Sequence, residues 1–149
     1  MSRADGGRRS LLRLLVEGSR AMEGRLYEGL RAAGYGDVRP AHYAIFRYLE
    51  DEGSRVTELA EAAGMTKQSM GELVDHLERR GYVERCPDPR DGRAKIVVLT
   101  AKGRRGIEAA AELIAEIEGE LARWMGKERL EELTGSLADL RAFFEESEK

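Results

Sequence analysis

From Arg8 to about Ala33 the apolar residues Leu11, Leu15, Met22, Leu26 and Leu30 return at helical spacing, which predicts an amphipathic helix ended by GYGD. Pro40 opens a second helix, PAHYAIFRYLED, which stops near Gly53. The stretch VTELAEAAGMTKQSMGELVDHLERRG reads as two helices joined by a short turn, with Thr57 and Thr66 as N-caps and with Gly64 and Gly81 at the two helix ends. The β-rich runs YVERC and AKIVVLT follow, and the PDPRDGR between them has the composition of a hairpin turn. Thr100 caps a further helix carrying Ile107, Ala110, Ile114, Ile117, Leu121 and Trp124. After a break at GKE the same spacing resumes at Leu130, Leu133, Leu137, Leu140 and Phe144. Such seams pack helix against helix, either within one chain or against a second copy. The second arrangement is favoured because the middle of the chain has apolar positions enough for its own core.

The two short helices carry a more specific pattern. Counted from Val56, Leu59, Ala60, Ala63, Gly64, Met65, Met70 and Leu73 occupy the positions that a helix-turn-helix requires to be apolar or small. Ala60 lets the helices cross closely, and Gly64 can take the left-handed conformation of the turn. On the second helix Met70, Leu73, Val74 and Leu77 share one face, while Gln68, Glu72, Asp75 and Arg79 lie opposite. In a docked helix-turn-helix the side chains near the start of the second helix reach base edges, here Thr66, Lys67, Gln68 and Glu72. Gln68 can pair with adenine in the major groove, and Ser69 suits a phosphate. The plainer reading is a solvated helix face, and Glu72 and Asp75 give it weight because carboxylates beside phosphates cost energy.

Charge divides along the chain in a way the total of −3 hides. Residues 64–105 hold ten basic and six acidic side chains, whereas residues 106–149 hold five and twelve. A polyanion would therefore meet the middle of the chain. One cysteine, Cys86, and two histidines, His42 and His76, exclude an internal disulfide and give no metal-ligand cluster. No cofactor is expected. No apolar run has the length of a membrane span and no secretory signal opens the chain, so a cytoplasmic location and no membrane partner are expected. An enzyme is the least favoured class, since His42 and Cys86 fall in separate elements with no third member, and no catalytic residue is assigned.

The hairpin now acquires a role. Directly after a recognition helix it is the wing of a winged helix-turn-helix, and its turn would lie beside the minor groove. Arg90 and Arg93 can enter that groove, with Asp91 holding Arg93 extended. The alternative is a solvated loop with a local Asp–Arg pair. The expected fold is mainly α (α+β): a single winged-helix domain over 1–149, with a DNA-binding lobe at 37–100, the helix-turn-helix at 56–80 and the wing at 82–99. Helices at 8–34 and 101–147 form a dimerisation region.

These residues resemble the MarR family of bacterial transcriptional regulators. The likeness is strongest over residues 56–103, and its wing signature matches at Asp88, Pro89, Asp91, Arg93, Leu99, Thr100 and Gly103. The resemblance implies a homodimer with intertwined terminal helices that binds an inverted repeat in double-stranded DNA, often as a repressor released by a small aromatic or phenolic ligand. Tyr27, His42, Tyr43 and Phe46 stand where the family's ligand pocket usually lies, and core or dimer packing is the plainer account of each. Gly71 departs from relatives that often carry a DNA-touching side chain there. A cysteine near the N-terminus, which some peroxide-sensing relatives use, is lacking, and Cys86 reads as a small packed residue. The alternative to a DNA-binding regulator is a winged-helix protein-interaction module, which Glu72, Asp75 and the acidic tail favour slightly.

Overall fold

The structure, a computed structural model, describes residues 10–148. Arg8, expected at the start of the first helix, lies outside the described residues. Helix α1 spans Leu11–Ala32, and its N-cap Ser10 accepts a hydrogen bond from the Arg13 N–H. Pro40 opens only a 3-10 turn, Pro40–His42, which passes into the short helix α2, Tyr43–Tyr48. The expected run of helix to Asp51 fails because Leu49 is already extended. Downstream, Ser54 makes an isolated antiparallel bridge to Val97, and its hydroxyl accepts from the Glu50 N–H at 3.0 Å. Those bonds draw the chain out of the helix and into register with the hairpin.

Helix α3, Val56–Ala63, therefore starts two residues beyond Ser54. Its N-cap is Arg55, which makes no side-chain cap, so Thr57 lies inside the first turn and is not the cap expected. Gly64 closes α3 at φ 64°, ψ 32°, the left-handed conformation the tight turn demands. Helix α4, Lys67–Arg79, begins at Thr66, whose hydroxyl accepts from the Ser69 N–H as predicted. Met70, Val74 and Leu77 are fully buried and Leu73 is half-buried, so α4 is anchored by the apolar face its spacing indicated.

Strands β1, Val83–Asp88, and β2, Asp91–Leu99, form the antiparallel wing, from Val83 opposite Leu99 to Pro87 opposite Lys95. The strands run further toward the tip than composition indicated, but the register slips between Pro87 and Asp88. Asp88 then faces Asp91, and Gly92, Arg93 and Ala94 have no strand partner. Thr100 starts helix α5, Ala101–Met125, by accepting from the Gly103 N–H at 3.1 Å. Gly126 breaks the chain before helix α6, Lys127–Ser147.

The chain divides into two compact units at Leu113. The first holds the core, in which Leu30, Ile45, Leu59, Met70, Leu77 and Tyr82 are buried together. The second holds the end of α5, where Ile117 is buried, and all of α6, which has no buried residue among those described. Trp124, Phe143 and Phe144 there are 82%, 62% and 58% exposed, and Leu12 of α1 is 73% exposed. No described helix is long and apolar enough to cross a membrane.

Candidate nucleic-acid interface

The second helix of the helix-turn-helix presents its first turn outward. Thr66, Lys67, Gln68 and Ser69 are all exposed, and Glu72 follows one turn later. Thr66 binds Ser69 twice, accepting from its backbone N–H and donating its own proton to the Ser69 hydroxyl oxygen at 2.9 Å. That leaves the Ser69 proton available to an outside acceptor, at a helix end whose unpaired N–H groups already favour an anion. Gly71, one position before Glu72, would carry a side chain into open space.

Two carboxylates of α4 are taken up by the wing. Asp75 pairs with Arg85 of β1 at 2.9 Å, and Glu78 pairs with the same guanidinium at 2.8 Å. Glu78 also accepts from the Arg85 backbone N–H at 3.1 Å. Arg85 thus neutralises two acids on the recognition helix and ties that helix to the wing. The basic cluster around the hairpin turn is in consequence smaller than it looks in sequence, comprising the exposed Arg90, Arg93 and Lys95. Asp91 accepts from the Arg93 backbone N–H at 3.1 Å, so it shapes the chain at that residue through its main chain. Arg79 is exposed near the end of α4.

A second group gathers at the foot of α1. Tyr43 is buried, and its hydroxyl has no hydrogen-bond partner among the described residues. Burial pushes this phenol up to about 12, and Glu23 and Tyr27 of α1 add to the shift. The Tyr27 hydroxyl donates to the Gly36 carbonyl at 3.4 Å, and Phe46 packs on the core. His42 does not join them. Its Nδ1 accepts from the Arg39 N–H at 3.0 Å, and its ring stacks on His76 of α4 with centroids 4.3 Å apart. Burial and the neighbouring His76 hold the His42 imidazole below its usual value. The ring stack was not visible in sequence, because 34 residues and three element boundaries separate the two histidines.

The wing and Tyr82 have further partners that sequence spacing did not reveal. Arg55 binds Asp88, and Asp88 also accepts from the Arg90 N–H at 2.9 Å; that N–H and the Arg55 guanidinium hold the Asp88 carboxyl below the ordinary carboxylate range. The Tyr82 hydroxyl donates to Asp37, while Lys102 lies over the Tyr82 ring, 4.3 Å from its centroid, and donates to the Arg80 carbonyl at 2.8 Å. Burial raises the Tyr82 phenol, and the bond to Asp37 adds to it.

A capped recognition helix, a small-residue turn and a two-stranded hairpin in one compact unit define a winged helix-turn-helix protein. The MarR family matches over residues 37–94. The transcriptional regulator HosA of Escherichia coli O111:H- is 36% identical over 95 residues, 62% of this chain and 70% of that protein. The transcriptional regulator Tm0710 of Thermotoga maritima shares the fold with a TM-score of 0.61 at 29% identity, covering 91% of this chain and 94% of that one. CouR from Rhodococcus jostii RHA1, in a structure bound to p-coumaroyl-CoA, has a TM-score of 0.67 at 25% identity, covering 85% and 88%. The chain belongs to the MarR family and is a transcriptional regulator of that family.

Proposed function

We propose that the chain is a sequence-specific DNA-binding repressor that acts as a homodimer on an inverted repeat. The observation that carries this reading is the exposed first turn of α4, Thr66 to Ser69, on a helix whose opposite face is locked into the core. Lys67 and Ser69 meet phosphate, Gln68 reads a base edge, and Glu72 either accepts from cytosine or rejects other bases. Arg79, Arg90 and Arg93 supply backbone and minor-groove contacts, and Asp91 shapes the wing around Arg93. Exposed apolar side chains on α1, and separately on α6, are what a second copy would cover. Two copies then present two recognition helices to half-sites about one helical turn apart.

The ligand response rests on Tyr43. A buried hydroxyl without a partner costs about 1–3 kcal/mol, a cost that a small phenolic or aromatic molecule able to hydrogen-bond it would remove. Tyr27 and Phe46 are the neighbouring aromatic surface, and CouR is a relative with a bound p-coumaroyl-CoA.

Binding selection against randomised duplex DNA tests the reading. Enrichment of an inverted repeat, with weaker binding by Arg93→Ala, is the expected result. Equal binding by wild type and Arg93→Ala would remove the wing from it, and no enrichment from a folded dimer would remove the whole. The protein-interaction alternative drew on Glu72, Asp75 and the acidic tail, and with Asp75 taken up by Arg85 its support narrows to Glu72 and the tail.

A further inference from the structure

The wing carries its exposed arginines on a part of the hairpin that strand pairing does not hold. Gly92, Arg93 and Ala94 sit in the register slip, with no partner across the ladder. A two-stranded ribbon is marginal by itself and free to twist, so the aim of its tip must be set from outside the ribbon. Two contacts with the start of α3 do this. At the base, Ser54 exchanges backbone bonds with Val97, N–H to carbonyl at 3.1 Å one way and 2.8 Å the other. Near the tip, the next residue, Arg55, reaches Asp88 with Nε at 2.9 Å and Nη2 at 2.8 Å from the same oxygen. The other oxygen of Asp88 accepts the Arg90 N–H at 2.9 Å. Asp88 is 7% exposed, and its two oxygens are fully engaged between the helix-turn-helix and the turn.

We infer that Arg55 and Asp88 are positioning residues for the wing: their ion pair fixes the orientation of the hairpin tip, and so of Arg90 and Arg93, relative to the helix-turn-helix. The inference rests on the DNA-binding reading above. Arg55 acts through Asp88 and touches no base. A forked guanidinium on one carboxylate oxygen, beside a backbone bond from the turn to the other, constrains direction as well as distance. With the strut broken, the wing keeps its ladder up to Pro87 and loses its aim.

Two measurements on the 149-residue chain test this. In the free protein, Arg55→Met should speed amide exchange at Arg90 and Arg93 roughly tenfold while Met70, Val74 and Leu77 of α4 stay protected. On a fixed selected duplex, Arg55→Met should weaken binding roughly five- to twentyfold, the order of one lost arginine contact, and flatten the salt dependence as Arg90→Ala/Arg93→Ala does. Added to that double variant, Arg55→Met should cost nothing more. Asp88→Asn should reproduce the effect, and serves in its place if Arg55→Met is poorly folded. Unchanged exchange at the tip overturns the strut. An equal loss in both backgrounds overturns the positioning role, since Arg55 would then act on DNA directly. A wild-type chain that binds no duplex overturns the regulator reading and the wing's role with it, while the exchange result still reports whether the strut exists.

Discussion

Gly103 and Gly71 offer one chemical change at two helix positions with opposite predicted signs. At Gly103, three residues into α5, an added methyl would collide with the Tyr82 carbonyl oxygen and lie 3.1 Å from its carbonyl carbon. That carbonyl cannot yield easily. It accepts from the Thr100 N–H and the Thr100 hydroxyl, both at 3.1 Å, and the Tyr82 ring is held between Asp37 and Lys102. Gly103→Ala must therefore shift the start of α5 against the end of α4. Overpacking of this kind costs about 1–3 kcal/mol, and the upper part of that range applies because the obstacle is tied backbone. For a chain of this length about 2 kcal/mol lowers Tm by roughly 4–8 °C.

At Gly71 an added methyl meets nothing within 4 Å, and the residue is helical with ordinary dihedrals. Gly71→Ala gains the helix-propensity difference of about 0.5–1 kcal/mol and should raise Tm by roughly 1–4 °C. The assay is thermal or urea denaturation of both variants at one protein concentration, because a dimer makes Tm depend on it. Stabilisation by Gly103→Ala, or a loss with Gly71→Ala, would refute the reasoning from local space. Duplex binding by Gly71→Ala adds a second reading. A more stable variant that binds DNA more weakly would mean that the open surface at Gly71 is used by DNA.

Two further outcomes follow from named groups. His42 is held below its ordinary value of 6.5, so the folded chain binds fewer protons than the unfolded chain just below 6.5; stability should fall as pH drops from about 7.5 toward 5.5. His42→Asn keeps an acceptor for the Arg39 N–H and should flatten that slope, and an unchanged slope would assign it to other groups, since Asp88 acts in the same direction only below 3.8. Arg85→Met should cost about 1 kcal/mol or less in stability, because its partners Asp75 and Glu78 are half-exposed. It should nevertheless weaken duplex binding at low salt by leaving two carboxylates unpaired on α4, a difference that fades as salt rises; equal binding at low salt would sink this account.

What could be read in the sequence was what repeats or what is local. The apolar face of α4 followed from spacing, and Gly64 and Thr66 followed from what a tight turn and a helix start require within a few residues. The errors lie where a distant partner overrides a local preference. Helix α2 is shorter than PAHYAIFRYLED allows because Ser54 pairs with Val97, 43 residues away. Thr57 is a good cap residue, but the bridge at Ser54 sets where α3 begins. Arg85 lies within the basic stretch at residues 64–105, and only the fold places it between two acids of α4. Asp88 stood out as part of a motif, with no indication that its carboxylate reaches back to Arg55.

The placement of these ion pairs bears on how a regulator of this kind can be switched. Asp75 and Glu78 bind Arg85, and Asp88 binds Arg55, so the recognition helix, the wing and the start of α3 are joined by two ties over and above the shared core. Bending the wing alone, or tilting α4 alone, would break a tie and expose charge. Moving the helix-turn-helix and wing together breaks neither. Interiors packed this tightly respond to a ligand by rigid displacement more readily than by continuous distortion. In the proposed dimer, a ligand at Tyr43 would then act on DNA affinity through the spacing of two whole lobes, leaving the face formed by Lys67, Gln68 and Ser69 unaltered. On that argument the proposed effector would lower affinity for every half-site sequence alike, without changing which bases are preferred.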